Sequence, residues 1–254
     1  MNFQPIDNRK DSSLYQEEMV VLFSQCDPAH RLKMSELFMI MTNMADNAFA
    51  YRGMTHQQLV EEMQVAFLLS QVSVQVYKMP IQNEILRVAT WEGSCERARF
   101  LRNFCIWNKE TGELLVEAAS SWMLVNPYTR QILRPSSFAG QMFPIPEEKS
   151  GAPEFKRIRM KEEDEGVRMV GMRPVLYSDL DGNGHVDNAR YIEMAADILS
   201  DRMIKEVPKT LQVQFAKEAV FGETMAMYRL DNGNEAVVKG SMDGKDNFIC
   251  AIEF

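Results

Sequence analysis

Two long segments of the chain carry apolar residues at three- and four-residue steps. The first segment is 37–48 and the second is 192–203. This spacing places the apolar side chains on one face of a helix, so each segment predicts a helix. Ser35 is a candidate N-cap for the first helix, and Asp187 or Asn188 for the second.

The chain repeats this pattern. VLFS at 21–24 matches VLYS at 175–178, an offset of 154 residues (175 minus 21). Beyond the predicted helices, VQVYKMPIQNE at 74–84 matches VQFAKEAVFGE at 213–223, an offset of 139 (213 minus 74). The first copy is therefore 15 residues longer between helix and strand (154 minus 139), largely around 51–63. Each copy predicts a strand, a long helix and an antiparallel meander.

These patterns predict an α+β protein made of two modules in tandem. A helix that is apolar nearly all round is best buried by a sheet that wraps around it, which is the hot-dog architecture. The predicted organisation is an N-terminal hot-dog module at 1–140, a linker rich in proline and charge at 141–165, and a C-terminal module at 166–254.

Composition narrows the function. With 254 residues and 46% hydrophobic content, the chain can bury a sizeable core. Its net charge of −8 argues against nucleic acid as a partner, because phosphate binding needs a basic surface. The N-terminus lacks an apolar leader and no run approaches a membrane span, so a cytoplasmic protein is expected. The four cysteines are scattered, which predicts reduced thiols and no metal site.

The stretch DLDGNGHVDNAR, residues 179–190, carries the most specific chemistry. Its acidic and amide residues fit several positions of a calcium-binding EF-hand loop. The twelfth position must supply a bidentate carboxylate, however, and here it is Arg190. The preceding GMRPVLYS contains Gly171 and Pro174 and predicts a strand where an EF-hand has a helix. The sequence therefore argues against calcium.

Three stretches resemble one known family. VLYSDLDGNGHVDNARYIEMAADIL (175–199) closely resembles the Asp-x-Asn-x-His-Val-x-Asn motif and the Tyr-Ile helix start of the acyl-acyl carrier protein thioesterases. LQVQFAKEAVFGE (211–223) is similar to that family's second motif, a strand carrying a Glu, and NKETGELLVEAASSWMLVNPYTRQI (108–132) to its first hairpin. Plant members often have Cys after this Glu. Ala219 stands there instead, a departure that argues against any mechanism needing a nucleophilic thiol at this position, and the chain is identified as resembling a bacterial member of the family.

The resemblance implies a hydrolase of fatty acid biosynthesis. Such an enzyme cleaves the thioester of fatty acyl-acyl carrier protein to free fatty acid and holo-carrier protein, without metal or cofactor. The carrier protein holds the acyl chain on a phosphopantetheine prosthetic group. Asn183 would polarise the thioester, Glu218 would activate water, His185 would orient water or shuttle the proton, and Asp181 would fix Asn183 or His185. Taken singly, each residue also fits a plain role in a turn, a helix start or a solvated strand.

Glu218 is expected on a strand face with Gln212 and Gln214. The backbone N–H groups of the second helix's first turn are expected to stay free near the thioester oxygen. At the two offsets the first copy has Asp27, Ala29, Arg31 and Met79 in place of the four polar residues, in that order. Only the second copy is therefore expected to be catalytic.

Docking of the acidic carrier protein onto an acidic chain requires a local basic patch. Arg87, Arg97, Arg99 and Arg102 are the candidates, and solvated strand faces are an equally simple explanation of them. Two other functions stay open: a thioesterase acting on coenzyme A esters, and a non-catalytic module that binds acyl chains. A monomer is feasible because the duplication supplies the partner that a single module needs, and a homodimer also stays open.

Overall fold

A computed structural model describes residues 6–96, 98–138, 141 and 146–254. Within these ranges the chain forms two α-helices and ten β-strands. The helices are α1 (Met34–Tyr51) and α2 (Asn188–Asp197). The strands are β1 (Tyr15–Val20), β2 (Ala66–Val76), β3 (Ile85–Glu96), β4 (Arg99–Asn108), β5 (Leu114–Val125), β6 (Arg168–Pro174), β7 (Thr210–Phe215), β8 (Thr224–Asn232), β9 (Glu235–Met242) and β10 (Lys245–Glu253). No helix in the described ranges is long and apolar enough to cross a membrane.

All ten strands belong to one antiparallel sheet, in the order β1-β3-β4-β5-β2-β7-β10-β9-β8-β6. Read from its own outer edge, the second half runs β6-β8-β9-β10-β7, which repeats the order of the first half strand for strand. Each half packs on its own helix, and the two helices contact each other within one hydrophobic core. The predicted α+β fold with two hot-dog modules is confirmed.

The two halves join where β2 pairs with β7, in the register Gln71↔Gln214 to Gln75↔Thr210. Alternation along these strands gives the junction two different faces. Four aliphatic side chains enter the core on the helix side, namely Val72, Val74, Leu211 and Val213. The other face is polar. The junction therefore buries hydrophobic surface and also completes a ladder of hydrogen bonds between the modules.

Several predicted boundaries shift. Residues 21–24 and 175–178 were expected in strands, but β1 and β6 end earlier and 3₁₀ helices follow at Phe23–Gln25 and Tyr177–Asp179. Helix α2 is shorter than its apolar pattern predicts, because the chain turns after it into a 3₁₀ helix at Met203–Lys205.

The two helices begin differently. Ser35 lies inside α1 and does not cap it, since the N-cap residue is Lys33. Asp187 caps α2 as expected, and its side chain accepts a hydrogen bond from the N–H of Ala189 at 2.7 Å.

The longer stretch in the first copy forms a π-helical turn at Gln58–Glu62 that closes one end of the first module. Its apolar residues join a second, aromatic-rich cluster that includes Phe100 and Phe138. The rings of Phe49, Phe67, Phe100 and Phe138 meet mostly edge to face, a favourable arrangement of aromatic pairs. The insertion thus extends the core of the first module beyond the end of α1.

The segment between the modules lies across the face of the sheet opposite the helices. Its backbone contacts successive strands: the carbonyl of Glu148 accepts from Trp91 on β3 (2.8 Å), that of Pro153 from Ser73 on β2 (2.7 Å), and that of Lys156 from Gln214 on β7 (2.6 Å). The segment therefore reinforces the junction from the outside.

One glycine lets this segment approach the sheet. The N–H of Gly151 donates to the buried carboxylate of Glu117 at 2.8 Å, and the Tyr77 hydroxyl donates to the same carboxylate at 2.7 Å. A Cβ at position 151 would stand 2.3 Å from a Glu117 oxygen. Glycine is required here by close contact and not by backbone torsion.

We predict that Gly151→Ala destabilises the protein by about 1–3 kcal/mol, because Glu117 must move and lose a buried hydrogen bond. The midpoint of urea unfolding should fall at unchanged slope. Gly171→Ala is the matched control, since no atom lies within 4 Å of a Cβ built there. Equal midpoints for the two variants would contradict the predicted close packing.

Candidate active site

Asp181 organises the loop that leads into α2. Its Oδ1 accepts hydrogen bonds from the backbone N–H groups of Asn183 (2.8 Å) and His185 (3.1 Å), and its Oδ2 accepts from Asn183 Nδ2 at 3.3 Å. Gly184 has a positive φ of 80°, which lets the loop reverse between Asn183 and His185. The result is a tight turn that presents Asn183 and His185 on one side.

Glu218 lies in the loop after β7 and not on the strand, which ends at Phe215. The prediction that it shares a strand face with Gln212 and Gln214 is wrong: those two side chains bind the intermodule segment on the polar face of the sheet. The chain leaves the ladder at Ala216, so strand alternation no longer sets the direction of the Glu218 side chain.

Three contacts hold the Glu218 loop in place, to α2, to the end of the Asp181 loop and to β10. The buried Tyr191 hydroxyl accepts from the N–H of Ala219 at 3.1 Å, and the carbonyl of Ala219 accepts from the N–H of Val186 at 2.9 Å. The side chain of Asn247 on β10 donates to the carbonyl of Lys217 at 3.0 Å. Burial raises the pKa of Tyr191, so its hydroxyl stays protonated.

The side chains of His185 and Glu218 meet beside an arginine from the other module. His185 Nε2 lies 3.6 Å from Glu218 Oε2. Arg130 reaches both: its Nη1 is 2.8 Å from Glu218 Oε2 and its Nη2 is 3.2 Å from His185 Nε2. The site thus combines residues of three separate segments and both modules.

The corresponding loop of the first copy has the same backbone but different chemistry. Asp27 Oδ1 accepts from the N–H groups of Ala29 (2.8 Å) and Arg31 (2.9 Å), as Asp181 does in the second copy. The Arg31 side chain pairs with Asp27 at 2.8 Å and donates to the carbonyl of Lys205 at 3.0 Å. Met79, at the position of Glu218, is buried in the core.

The N-terminus of α2 offers fewer free amides than expected. The N–H of Ala189 is bound by the Asp187 side chain and that of Arg190 by the Asp187 carbonyl at 2.9 Å. The expectation that the N–H groups of this first turn stay free is therefore wrong for these two residues. Burial raises the pKa of Asp187, and the hydrogen bond from Ala189 opposes this effect.

The acidic residues of the loop already have partners within the protein. Asp179 pairs with Arg173 at 2.8 Å and also accepts from the N–H of Leu176, while Asp187 caps α2. Across the described ranges, no three His, Cys, Asp or Glu residues are grouped so that they could hold a metal ion.

The cysteines lack the surroundings of a nucleophile. Burial raises the pKa of Cys105 and of Cys250 to about 12, and burial together with Asp27 raises the pKa of Cys26. His30, near Cys26 in sequence, instead contacts the Gln82 side chain through Nδ1 at 2.7 Å. A thiol with a raised pKa carries little thiolate at neutral pH.

A cavity of about 950 Å³ connects the polar loops to the interior of the first module. Asp181, Asn183, His185 and Glu218 line one part of it, with Arg130. The remaining wall comes largely from α1, the 54–65 segment and strands β2, β4 and β5, and includes Phe49, Phe67, Phe100, Met54 and Leu59. The shape suits a ligand with a polar reactive end and a long apolar body.

Two of the arginines predicted to dock the carrier are not available for it. Arg87 is buried and pairs with Glu18 at 2.5 Å, and Arg102 is only 3% exposed and lies 3.5 Å from Glu92. Burial lowers the pKa of Arg102 to about 10. The prediction is therefore wrong for these two residues. Arg99 is exposed and donates to Gln71 at 2.8 Å, and Arg97 lies outside the described residues.

Sequence reasoning missed Arg130, Tyr191 and Asn247. Arg130 and Tyr191 stand inside motifs that were noted for their resemblance, but nothing in their local pattern connects them to Glu218. Asn247 lies near the start of β10 and carries no recognisable sequence pattern. Only the pairing of β10 with β7 brings it to the Glu218 loop.

A double hot-dog protein with a polar site at the end of an apolar cavity is the class defined by this geometry. The solved acyl-ACP thioesterase of Bacteroides thetaiotaomicron has the same fold, with a TM-score of 0.82, 25% identity, and coverage of 97% of this chain and 100% of that one. The 12:0-ACP thioesterase of Umbellularia californica also shares the fold, with a TM-score of 0.81, 14% identity and coverage of 94% and 93%.

The family models for the acyl-ACP thioesterase N-terminal and C-terminal domains match residues 12–136 and 162–248, and the chain belongs to this family. It is 24% identical over 164 residues to oleoyl-acyl carrier protein thioesterase 2 of Arabidopsis thaliana, covering 61% of this chain and 44% of that protein. It is 29% identical over 131 residues to the palmitoyl-acyl carrier protein thioesterase of Gossypium hirsutum, covering 50% and 31%. The matches thus span less than half the length of these relatives.

We predict that calcium leaves the thermal stability of chelator-treated protein unchanged, because the loop carboxylates are bound to backbone amides and Arg173. A ligand that binds the native state raises its melting temperature, so a thermal scan with and without millimolar calcium is the measurement. A calcium-dependent rise in melting temperature would restore the EF-hand interpretation.

Proposed function

We propose that the protein hydrolyses the thioester of fatty acyl-acyl carrier protein to free fatty acid and holo-carrier protein. The observation that carries this proposal is the single cavity with Asn183, His185 and Glu218 at one end and aromatic and aliphatic walls in the first module. Family membership supports the same reaction. The acyl chain would lie in the first module with its thioester beside the second.

Glu218 is the proposed base for the attacking water. Its carboxylate accepts the water proton while the water oxygen bonds to the thioester carbon. The amide of Asn183 donates to the developing oxyanion, since only one of its N–H groups is directed to Asp181. No step of this scheme requires a metal or an organic cofactor.

Collapse of the tetrahedral intermediate breaks the carbon–sulfur bond. The electron pair leaves on the sulfur, and the proton taken from water is delivered to this thiolate through His185. Glu218 Oε2 and His185 Nε2 lie 3.6 Å apart, beyond hydrogen-bond distance, so this transfer requires the two side chains to approach each other or a water to bridge them. Asp181 acts indirectly, since it fixes the backbone of both Asn183 and His185.

The acyl chain would extend along the second half of α1. Thr42 lines a small adjoining cavity together with Asn188. From Thr42 to Phe49 the helix advances about 10 Å, at the usual rise per residue of an α-helix. The phenylalanine cluster and the 54–65 segment close that end. Side chains there therefore limit the length of acyl chain that fits.

The first test is release of free fatty acid and thiol from acyl carrier protein esters of increasing chain length, with the matching coenzyme A esters in parallel. We expect higher kcat/KM on the carrier esters. Higher kcat/KM on coenzyme A esters would favour the second thioesterase function. Acyl binding without thiol release from any ester would indicate a binding module and overturn the proposal.

We predict that Asn183→Ala and Glu218→Gln each lower kcat by about 10²-fold or more, because a donor to the oxyanion or the base is lost. Both side chains are on surface loops, so thermal unfolding should change little. Steady-state rates on the best carrier ester, combined with thermal scans, measure both effects.

The first copy provides the control for this prediction. Met79→Ala removes a buried side chain at the position equivalent to Glu218 and should cost about 2–5 kcal/mol of stability. Turnover per folded molecule should stay near wild type. Survival of activity within a few-fold in both Asn183→Ala and Glu218→Gln would place the reaction elsewhere in the protein.

A further inference from the structure

Arg130 belongs to the first module, but its guanidinium lies between two side chains of the second. Nη1 is 2.8 Å from Glu218 Oε2 and Nη2 is 3.2 Å from His185 Nε2. The two terminal nitrogens of one planar guanidinium thus contact both proposed proton-transfer residues. Such a two-pronged contact fixes geometry in a way that a single point charge cannot.

The turn at 126–130 holds the backbone of Arg130 in place. Asn126 Oδ1 accepts from the N–H groups of Tyr128 (3.0 Å) and Thr129 (2.9 Å), and the Asn126 carbonyl accepts from the N–H of Arg130 (2.9 Å). Arg130 has a φ of 60°, in the left-handed region that favours glycine or asparagine. Conformations of this kind persist where surrounding structure imposes them, and they are concentrated at functional sites.

The sheet fixes the distance between this turn and the catalytic loop. The turn follows β5, which pairs with β2 up to Val125↔Ala66, and β2 pairs with β7, which leads into the Glu218 loop. Arg130 and Glu218 are therefore carried by the ends of strands in one continuous ladder. A rigid framework of this kind is suited to holding a reactive group in one position.

The contact with Arg130 also bears on where His185 and Glu218 carry protons. A guanidinium has only donors, so a hydrogen bond from Arg130 Nη2 to His185 Nε2 requires Nε2 as the acceptor and the ring proton on Nδ1. Glu218 Oε2 likewise accepts from Arg130 as a carboxylate. With the guanidinium in place, Nε2 and Oε2 are 3.6 Å apart, beyond hydrogen-bond distance. Without it the two atoms could approach and share a proton, which would engage both groups with each other.

We propose that Arg130 is a positioning residue supplied by the first module, which keeps His185 and Glu218 apart and both of them ready to accept a proton. This inference rests on the proposed function. A competing role follows from the exposure of the Arg130 side chain, 58%: at the edge of the cavity it could bind a phosphate of the carrier's prosthetic group instead. The two roles differ in which kinetic constant depends on Arg130.

The kinetic experiment compares Arg130→Met and Arg130→Lys with wild type on the best carrier ester. We expect kcat to fall by about 10- to 100-fold in Arg130→Met, the size of effect that misplacing a reactive group produces, with little change in KM. Lysine should recover little, because one ammonium cannot replace the two prongs. In Arg130→Ala, added guanidinium should restore part of kcat, which a purely structural role would not allow.

Arg134→Met is the matched control, an exposed arginine four residues later that does not line the cavity. It should have wild-type kinetics. The inference would be overturned if Arg130→Met raised KM at unchanged kcat, or if this variant had the kinetics of the unsubstituted protein. Either result leaves the proposed function standing, provided that the unsubstituted protein hydrolyses the ester. A wild-type protein that hydrolyses none of the esters would instead overturn the proposed function itself.

A spectroscopic readout is independent of turnover. The chain has three histidines, so the ¹⁵N resonances of the imidazoles can be assigned by substitution of one at a time. In the wild type, Nε2 of His185 should be unprotonated and Nδ1 protonated. In Arg130→Met the proton should move to Nε2 and face Glu218, and an unchanged tautomer would contradict the proposal.

Discussion

The pairing of β2 with β7 is the contact on which the rest of the structure depends. It joins two five-stranded sheets into one, and it places the end of β7, which leads to Glu218, beside strands of the other module. The cavity, the approach of Arg130 and the contact between the two helices all follow from this junction. Its aliphatic face is buried in the core and its polar face is covered by the segment that connects the modules, so it is stabilised from both sides.

The two copies share the backbone framework of the loop before the helix but differ in its side chains. Asp27 and Asp181 bind the same backbone amides in both copies, because the turn needs a carboxylate whatever the rest of the loop does. The first copy fills the position of Glu218 with Met79 and adds the insertion that closes the apolar cavity. In the proposed enzyme one module therefore binds the chain and the other acts on the thioester.

The apolar end of the cavity also contains charge. Arg52 pairs with Glu92 at 2.7 Å, and the guanidinium groups of Arg52 and Arg102 each lie 5.0 Å from the centre of the Phe49 ring. Burial raises the pKa of Asp46 nearby. Buried charges are tolerated only when they are compensated, and here carboxylates and an aromatic face provide that compensation. This cluster ties the end of α1 to β3 and β4, behind the aromatic wall.

The sequence by itself determined the two modules, the helix in each, the absence of a thiol at Ala219, and the asymmetry between Glu218 and Met79. These features depend on local periodicity, on residue type and on comparison of the copies, all of which are visible along the chain. Tertiary structure alone decided where Glu218 points, because β7 ends three residues before it. It also decided that Arg87 and Arg102 are buried, since sequence charge does not reveal that Arg87 pairs with Glu18 on the neighbouring strand or that Arg102 lies beside Glu92 and Phe49. Arg130 became part of the site only through the β5-β2-β7 ladder, because contacts across 88 residues of chain (218 minus 130) depend on strand pairing that no local pattern specifies.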